Sequence, residues 1–374
     1  MRVVVSASSG LSLINFRGNL IKDIVRQGHQ VFCLSCENDK DIRRKVEELG
    51  ASYRCVFMTR TGTNPIADLK TLIAYVRVLR EIQPDMYFAY MSKPVAYGGL
   101  AAKWCGIPKI NILVSGLEIA FYSNGIKNLP VRSILKFFFK KVHKASENIF
   151  FQNSDDYQRF LDIGIVKESQ STIVNGSGVD MYYFSKKKLP QEPVVLMIAR
   201  LVWSKGIREF LDAVSRIKEK SPQTEVLLVG GLDHNPEALT EQELQQCIKK
   251  NNIEYCGHVD DVRPYLERCS IFVLPSYHEG TPRSVLEAMA TGRPIITTNA
   301  PGCRETVIDG YNGYLVPVKD TDILYQRLIT LIENKELRKK MAANSYTLCW
   351  EKYDVNLVNQ VMIQKMDLVN YEGN

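Results

Sequence analysis

Short, unbroken apolar runs alternate with longer amphipathic stretches along most of the chain. In the first half the apolar runs fall at residues 2–7, 30–35, 53–57, 85–90, 109–114 and 148–152, and stretches of helical periodicity such as 64–82 and 94–105 separate most of them. The alternation restarts at 193–199 and continues at 225–229, 253–256, 270–274 and 294–297. Runs that are apolar throughout, rather than at every second position, belong to strands buried on both faces, as in parallel sheets covered by helices. Two such series predict α/β architecture with two doubly wound domains. The polar, proline-containing stretch SKKKLPQE at 185–192 is the expected seam, dividing residues 1–185 from 186–374. Beyond Asp320 the pattern is almost wholly helical, and a final helix at 355–369 is able to pack on either domain.

Length and composition fit that picture. With 374 residues, 45% of them apolar and 24% charged, the chain has enough apolar surface for a core in each domain and too much for disorder. No apolar run reaches the ~18 residues of a membrane-spanning helix, and the start MRVVVSASSG reads as a buried strand rather than a secretory leader. Nine cysteines, an odd number without a framework spacing, suit reduced thiols in the cytoplasm. Cys33 and Cys36 form a lone CxxC inside an expected strand, with no second pair to complete a zinc set. The charge is lopsided: residues 1–185 carry 24 Lys and Arg against 16 Asp and Glu, whereas 186–374 carry 24 against 25. A basic half beside a neutral half points to an anionic surface or ligand for the first domain.

Three loops carry candidate chemistry. The first βα turn, SASSGLS at 6–12, is small enough for close backbone approach around Gly10 but lacks the GxGxxG spacing of a dinucleotide fingerprint; it reads equally as an ordinary tight connection. In the second domain, ARLVWSKG places Arg200, Lys205 and a glycine between a strand and a helix start. There the helix N-terminus and two cations suit a phosphate, although surface cations at a helix start are common. The segment LPSYHEGTPRSVLEA sets Glu279 in a Gly/Pro loop and Glu287 in the following helix, which begins near Pro282. A carboxylate accepts two hydroxyl hydrogen bonds at once, as sugar and ribose diols require. One Glu on a hexose and one on a ribose, with Arg200 and Lys205 on a diphosphate between them, would clamp a nucleotide sugar. Taken singly, each Glu also reads as a solvated charge.

These segments resemble retaining glycosyltransferase family 4, whose fold is GT-B. The resemblance rests on SYHEGTPRSVLEAMATGRPII with its Glu-x7-Glu, on ARLVWSKG, and on NGSGVD at 175–180 with one residue inserted. LVGGLDHNP and YCGHVDDV follow in the family's order. VLMIARLVWSKGIREF, LAAKWCGIP and SGL at 115–117 resemble the subgroup that adds N-acetylgalactosamine or a related sugar to undecaprenyl-diphosphate-linked saccharides. The resemblance implies two Rossmann-like domains facing a cleft, with the acceptor on the first and a UDP-sugar on the second. Arg200 and Lys205 would hold the diphosphate, Glu279 the transferred sugar and Glu287 the ribose. Backbone of Gly280, Thr281, Pro282, Ser284 and Val285 would line the pocket, Gly257, His258 and Val259 would lie near the base, and Gly10 near the donor. Many members carry a His after the fifth strand, where this chain reads SGLE; Ser115, Gly116 and Glu118, with Lys93, become acceptor candidates. The implied activity needs neither protein nucleophile nor metal, because the two cations neutralise the leaving diphosphate. A nucleotide-sugar-binding subunit without catalysis and a UDP-sugar epimerase remain the competing functions.

The charge asymmetry has a local source. Residues 119–146 contain no Asp or Glu but include Lys127, Arg132, Lys136, Lys140, Lys141 and Lys144. Helical periodicity puts Leu135, Phe138 and Val142 on one face, Arg132, Lys136, Lys140 and Lys144 opposite, and Phe137 and Phe139 at the flanks. The stripe reads either as a solvated face or as a helix lying on an anionic bilayer, which places the protein peripherally at the inner face of the cytoplasmic membrane. Nucleic acid is disfavoured, since no stacking or DNA-reading motif accompanies the charge. His29, His143, His234, His258 and His278 lack metal-ligand spacing.

Overall fold

The computed structural model describes residues 1–59, 64–115, 129–232 and 238–369, with the side chains of 129–136 outside that description. The chain divides into one unit of residues 1–177 and 358–374 and another of residues 178–357.

The first unit runs β1 (Arg2–Ser6), α1 (Gly10–Arg26), β2 (Gln30–Ser35), α2 (Lys40–Glu47), β3 (Ser52–Cys55), α3 (Pro65–Ile82), β4 (Met86–Tyr90), α4 (Gly99–Trp104), β5 (Lys109–Val114), α5 (Leu129–Ala145), β6 (Asn148–Phe151), α6 (Ser154–Asp162) and β7 (Ser171–Ile173). Its strands form one parallel sheet in the order β3-β2-β1-β4-β5-β6-β7. The order reverses direction between β1 and β4, and open α/β sheets bind ligands beyond the strand ends at such a point. Neighbours along a strand enter opposite cores, as alternation dictates: Tyr87 and Phe151 go to one cluster, Phe88 and Phe150 to the other. α3 starts where Asn64 accepts from the amides of Ile66 and Ala67, with Pro65 at the first helical position. The stretch expected as one helix from Pro94 divides, beginning with a π-turn over Pro94–Gly98 before α4.

The second unit contains β8 (Val194–Ile198), α7 (Ile207–Lys220), β9 (Glu225–Val229), α8 (Glu241–Asn251), β10 (Glu254–Gly257), α9 (Arg263–Arg268), β11 (Ile271–Leu274), α10 (Arg283–Ala290), β12 (Ile295–Thr298), β13 (Gly313–Val316), α11 (Thr321–Glu333) and α12 (Lys335–Tyr353). The parallel order is β10-β9-β8-β11-β12-β13, with the reversal between β8 and β11.

The division falls at 177/178, earlier than the polar stretch suggested. Val179, Met181 and Phe184 are buried in the core of the second unit, and Val179 exchanges backbone hydrogen bonds with Tyr353 and Val355. SKKKLPQE is not a free linker either. The fully buried Arg293 donates to the carbonyls of Lys187 and Lys188, and Arg338 to that of Gln191, which pins the strap to its unit. After α12 the chain enters α13 (Val355–Lys365), whose Val358, Met362 and Ile363, followed by Met366 and Leu368, join the core of the first unit. Each such side chain contributes ~1.5–3 kcal/mol when fully buried.

Candidate active site

Two loops of the second unit meet at its switch point. β8 runs into a 3-10 turn at Trp203–Lys205, and α7 begins after Gly206, whose φ of 72° is left-handed. A Cβ on Gly206 would stand 2.1 Å from the carbonyl oxygen of Pro275, so only glycine lets the two loops approach this closely. The Tyr277 amide donates to Ser204 O (2.9 Å), and the Tyr277 hydroxyl reaches Glu209 Oε1 at 2.8 Å, fastening the loop after β11 to α7. A third loop closes the set. Glu279 N donates to Pro301 O (3.0 Å), the Thr298 hydroxyl donates to Ser276 O, and Gly302 lies directly under the carbonyls of Glu279 and Gly280.

This scaffold brings Lys205 and Glu279 into contact. The ammonium donates to Glu279 Oε1, which also accepts from the Ser276 hydroxyl at 2.8 Å, and the two side chains are only 18% and 15% exposed. Arg200 follows β8 two residues on and is exposed. Glu287 is buried on α10 and accepts from Arg283 Nε at 2.8 Å. Burial pushes its carboxyl above the usual range, with the Arg283 guanidinium pulling the other way. Pro282 is the N-cap of α10, and Gly280, Thr281 and Ser284 are half-buried around it. The Val285 side chain is in the core, and its amide donates to Pro282 O (3.1 Å). On the neighbouring strands, Gly230 N donates to Gly257 O at 2.8 Å. Gly257 has a left-handed φ of 67°, His258 is exposed, and Val259 leans on the core. The supporting residues Ser276, Tyr277, Glu209 and Gly302 escaped the sequence reading, which treated their segments only as turn and helix.

In the first unit the candidates are less exposed to ligand than expected. The Gly10 amide donates to Glu37 Oε2 at 2.9 Å, and Ser35 Oγ holds the same oxygen at 2.7 Å, so a carboxylate of the protein itself caps the start of α1. A Cβ on Gly10 would meet Ile42 Cγ2 at 2.4 Å, so the glycine serves helix packing. Lys93 follows β4 and is paired with Asp68 at 2.7 Å. Ser115 directly follows β5 and is half-buried, while Gly116, Lys127, Glu118 and His234 lie outside the described residues, as do the side chains of Arg132 and Lys136.

The basic helix needs one correction. Phe139 does not flank the lysine stripe. It is fully buried against the core with Val142, and the His143 ring lies 5.9 Å from that of Phe139 and 5.5 Å from that of Phe160. Phe137 is 56% exposed, and Lys140, Lys141 and Lys144 are exposed, with Lys141 Nζ 5.3 Å from the Phe137 ring centre. Among the described residues no helix is long and apolar enough to cross a membrane.

Residues 182–348 match the family described as glycosyl transferases group 1, and residues 6–153 match glycosyl transferase 4-like. The chain is 30% identical, over 99% of both chains, to the N,N'-diacetylbacillosaminyl-diphospho-undecaprenol alpha-1,3-N-acetylgalactosaminyltransferase of Campylobacter jejuni. It is 26% identical, over 85% of this chain and 87% of the relative, to the UDP-Gal:alpha-D-GlcNAc-diphosphoundecaprenol alpha-1,3-galactosyltransferase of Escherichia coli. Among solved structures, Anabaena HepE in complex with UDP and glucose superposes with a TM-score of 0.79 at 18% identity, over 98% of this chain and 99% of that one. Two Rossmann-like parallel-sheet units, each with its switch point, and a full-length relative in this group place the chain in the GT-B fold and in the group 1, family 4-like glycosyltransferases.

Proposed function

We propose that this glycosyltransferase moves a hexose or N-acetylhexosamine from a UDP-sugar to a saccharide carried on a polyprenyl diphosphate, with retention at the anomeric carbon. The observation that carries the donor reading is the Lys205–Glu279 contact at the β8/β11 switch, held by backbone bonds from three loops. The acceptor reading is supported by the two relatives named for diphosphoundecaprenol-linked acceptors, and the UDP reading by the HepE complexes.

In this reading the bond between the anomeric carbon and the diphosphate oxygen breaks, and Arg200 and Lys205 take up the charge that develops on the leaving group. The acceptor hydroxyl attacks the same face and passes its proton to the departing diphosphate oxygen. Glu279 holds sugar hydroxyls and keeps the ammonium in place, while Glu287 accepts from the ribose. Preorganised charge of this kind costs no reorganisation during the reaction. The two cations make a metal unnecessary, so activity persists in EDTA; loss that magnesium restores would overturn that point.

The exposed Lys140, Lys141 and Lys144 with Phe137 suit the anionic inner face of the cytoplasmic membrane, where a lipid-linked acceptor resides. A thermal-shift screen of UDP- and GDP-sugars, followed by transfer assays with the best stabiliser, tests the whole reading. It fails if no UDP-sugar stabilises the protein, or if a stabilising one is converted without any acceptor.

A further inference from the structure

The loop after β4 is built at a conformational cost around Lys93. Met91, directly after the strand, has a left-handed φ of 68°, uncommon for a residue with a side chain. The π-turn Pro94–Gly98 then follows Lys93, in a geometry that is rare and concentrated at functional sites. Its shape is enforced from below. The Tyr87 hydroxyl donates to Pro94 O at 2.9 Å, and a Cβ on Gly98 would stand 1.9 Å from that hydroxyl. Within this frame Lys93 Nζ donates to Asp68 Oδ1 at 2.7 Å and to Thr59 Oγ1 at 2.5 Å. The Lys93 and Asp68 side chains are 11% and 9% exposed. The Ser8 hydroxyl lies 2.9 Å from Met91 Sδ, joining the loop after β1 to this one, so the cluster borders the β1/β4 switch point where ligands of open sheets bind.

A nearly buried ion pair is not by itself a source of stability, and this one comes with backbone strain added. We propose that Lys93 binds the acceptor, donating its third N–H to an uncharged oxygen of the acceptor saccharide, a hydroxyl or an acetamido carbonyl, with Asp68 and Thr59 as positioning residues. The ammonium has three donors, and among the described residues the protein takes two. Asp68 cancels its charge, which leaves a directional donor with little net field. That suits a neutral oxygen; at the donor site, where Lys205 is likewise paired with Glu279, the exposed Arg200 adds a further cation for a diphosphate.

The proposal rests on the acceptor reading above. Its test uses the full-length protein with the two diphosphoundecaprenol acceptors named for the relatives, and p-nitrophenyl α-N-acetylglucosaminide as a phosphate-free acceptor. Lys93→Met should raise the acceptor KM about tenfold or more on every acceptor used, equally at low and high salt. The donor KM and the slow acceptor-free hydrolysis of the UDP-sugar should stay near those of the unmodified protein, while the melting temperature falls because Asp68 loses its cation. Lys93→Gln, which keeps an N–H donor without charge, should recover part of the loss. An unchanged acceptor KM would overturn the proposal, as would a loss confined to diphosphate acceptors and erased by salt, or a loss shared equally by the donor KM. If the unmodified protein uses UDP-sugar yet transfers to none of the three acceptors, the acceptor reading itself falls and takes the proposal with it.

Discussion

Each unit has a parallel sheet that reverses direction once, and the two switch points are equipped differently. At β8/β11 a lysine and a glutamate sit side by side, an exposed arginine stands nearby, and the loops are locked by main-chain bonds. At β1/β4 the polar groups are turned on the protein itself: Glu37 caps the first helix, and Asp68 neutralises Lys93. Both lysines are thus paired with a carboxylate of the protein, and the second unit differs by its exposed Arg200. In the function proposed above, a leaving diphosphate draws on that added cation, and a neutral saccharide is served by the neutralised pair of the first unit. The comparison breaks if removing charge from either place has the same effect on the same substrate.

The largest expected effect is therefore on transfer. Arg200→Ala and Glu279→Ala should each lower kcat/KM about a hundredfold, on the order of 3 kcal/mol, as for loss of one preorganised charged contact to a transition state. Glu279→Ala also frees Lys205, so its donor KM should change as well, while Glu37→Gln in the other unit should leave the donor KM alone. Steady-state kinetics with varied UDP-sugar checks all three, and a Glu37→Gln donor defect as large as that of Arg200→Ala would erase the distinction.

The two units also differ in how they respond to acid. His143 is buried beside Phe139 and Phe160, and desolvation lowers its pKa to about 4, against a hydrogen bond to Phe139 O that pulls upward. The unfolded side chain titrates near 6.5, so the unfolded chain binds the extra proton first. Stability that is complete above that pH is lost as the pH falls towards 4, by about 3 kcal/mol. Glu287 in the second unit leans the other way, because its carboxyl is raised and its contribution declines as the pH rises through the folded value. Urea denaturation of His143→Leu should show a destabilised protein at pH 7 whose deficit shrinks at pH 5. A deficit that is constant with pH would remove His143 as the acid-sensitive group.

How far the sequence disclosed these arrangements depended on chain distance. Arg200 and Lys205 share one turn, and Glu279 and Glu287 lie on one loop and helix. The two segments follow neighbouring strands by the ordinary logic of parallel sheets, so the meeting of Lys205 with Glu279 is legible in the sequence. The Lys93 cluster draws on positions 59, 68 and 93, where no local pattern signals the pairing, and Lys93 is only a bare candidate in the sequence. The helix face was misjudged because three consecutive phenylalanines make its apolar side ambiguous: each step rotates about 100°, and the structure buries Phe139 rather than Phe137. The seam was misplaced because a polar surface strap can be held by buried arginines beneath it, which composition does not reveal. β7 and β13, three and four residues long at the sheet edges, gave too little pattern to register.

Glycine offers a smaller and cleaner contrast between the switch points. Gly206 combines a left-handed φ with main chain 2.1 Å from where a Cβ would lie, whereas the nearest neighbour of a Cβ on Gly10 is the Ile42 side chain, at 2.4 Å. Backbone cannot yield without separating the β8 and β11 loops, but an isoleucine can adjust its rotamer. Gly206→Ala should cost about 2–3 kcal/mol and weaken UDP-sugar binding, and Gly10→Ala about 1 kcal/mol with donor binding intact. Chemical denaturation and calorimetry with the donor distinguish them, and equal costs would mean the loop contact in the second unit is not the constraint it looks to be.

The smallest effects belong to the basic helix, where the charge is neither paired with the protein's carboxylates, as far as the described contacts go, nor committed to catalysis. Lys140, Lys141 and Lys144 are exposed on a helix whose other side, Phe139 and Val142, is already used by the core. A cation near an anionic bilayer contributes about 1 kcal/mol, screened within a Debye length of ~10 Å at 0.1 M salt. Each of Lys140→Ala, Lys141→Ala and Lys144→Ala should therefore lower partitioning onto phosphatidylserine-containing vesicles about fivefold at low salt, and by much less at 0.5 M. Phe137→Ala should weaken binding at both salt concentrations, because its contribution is apolar area rather than charge. Sedimentation with vesicles reads these differences directly, and charge-removing substitutions without effect at low salt would return the stripe to the role of a solvated surface.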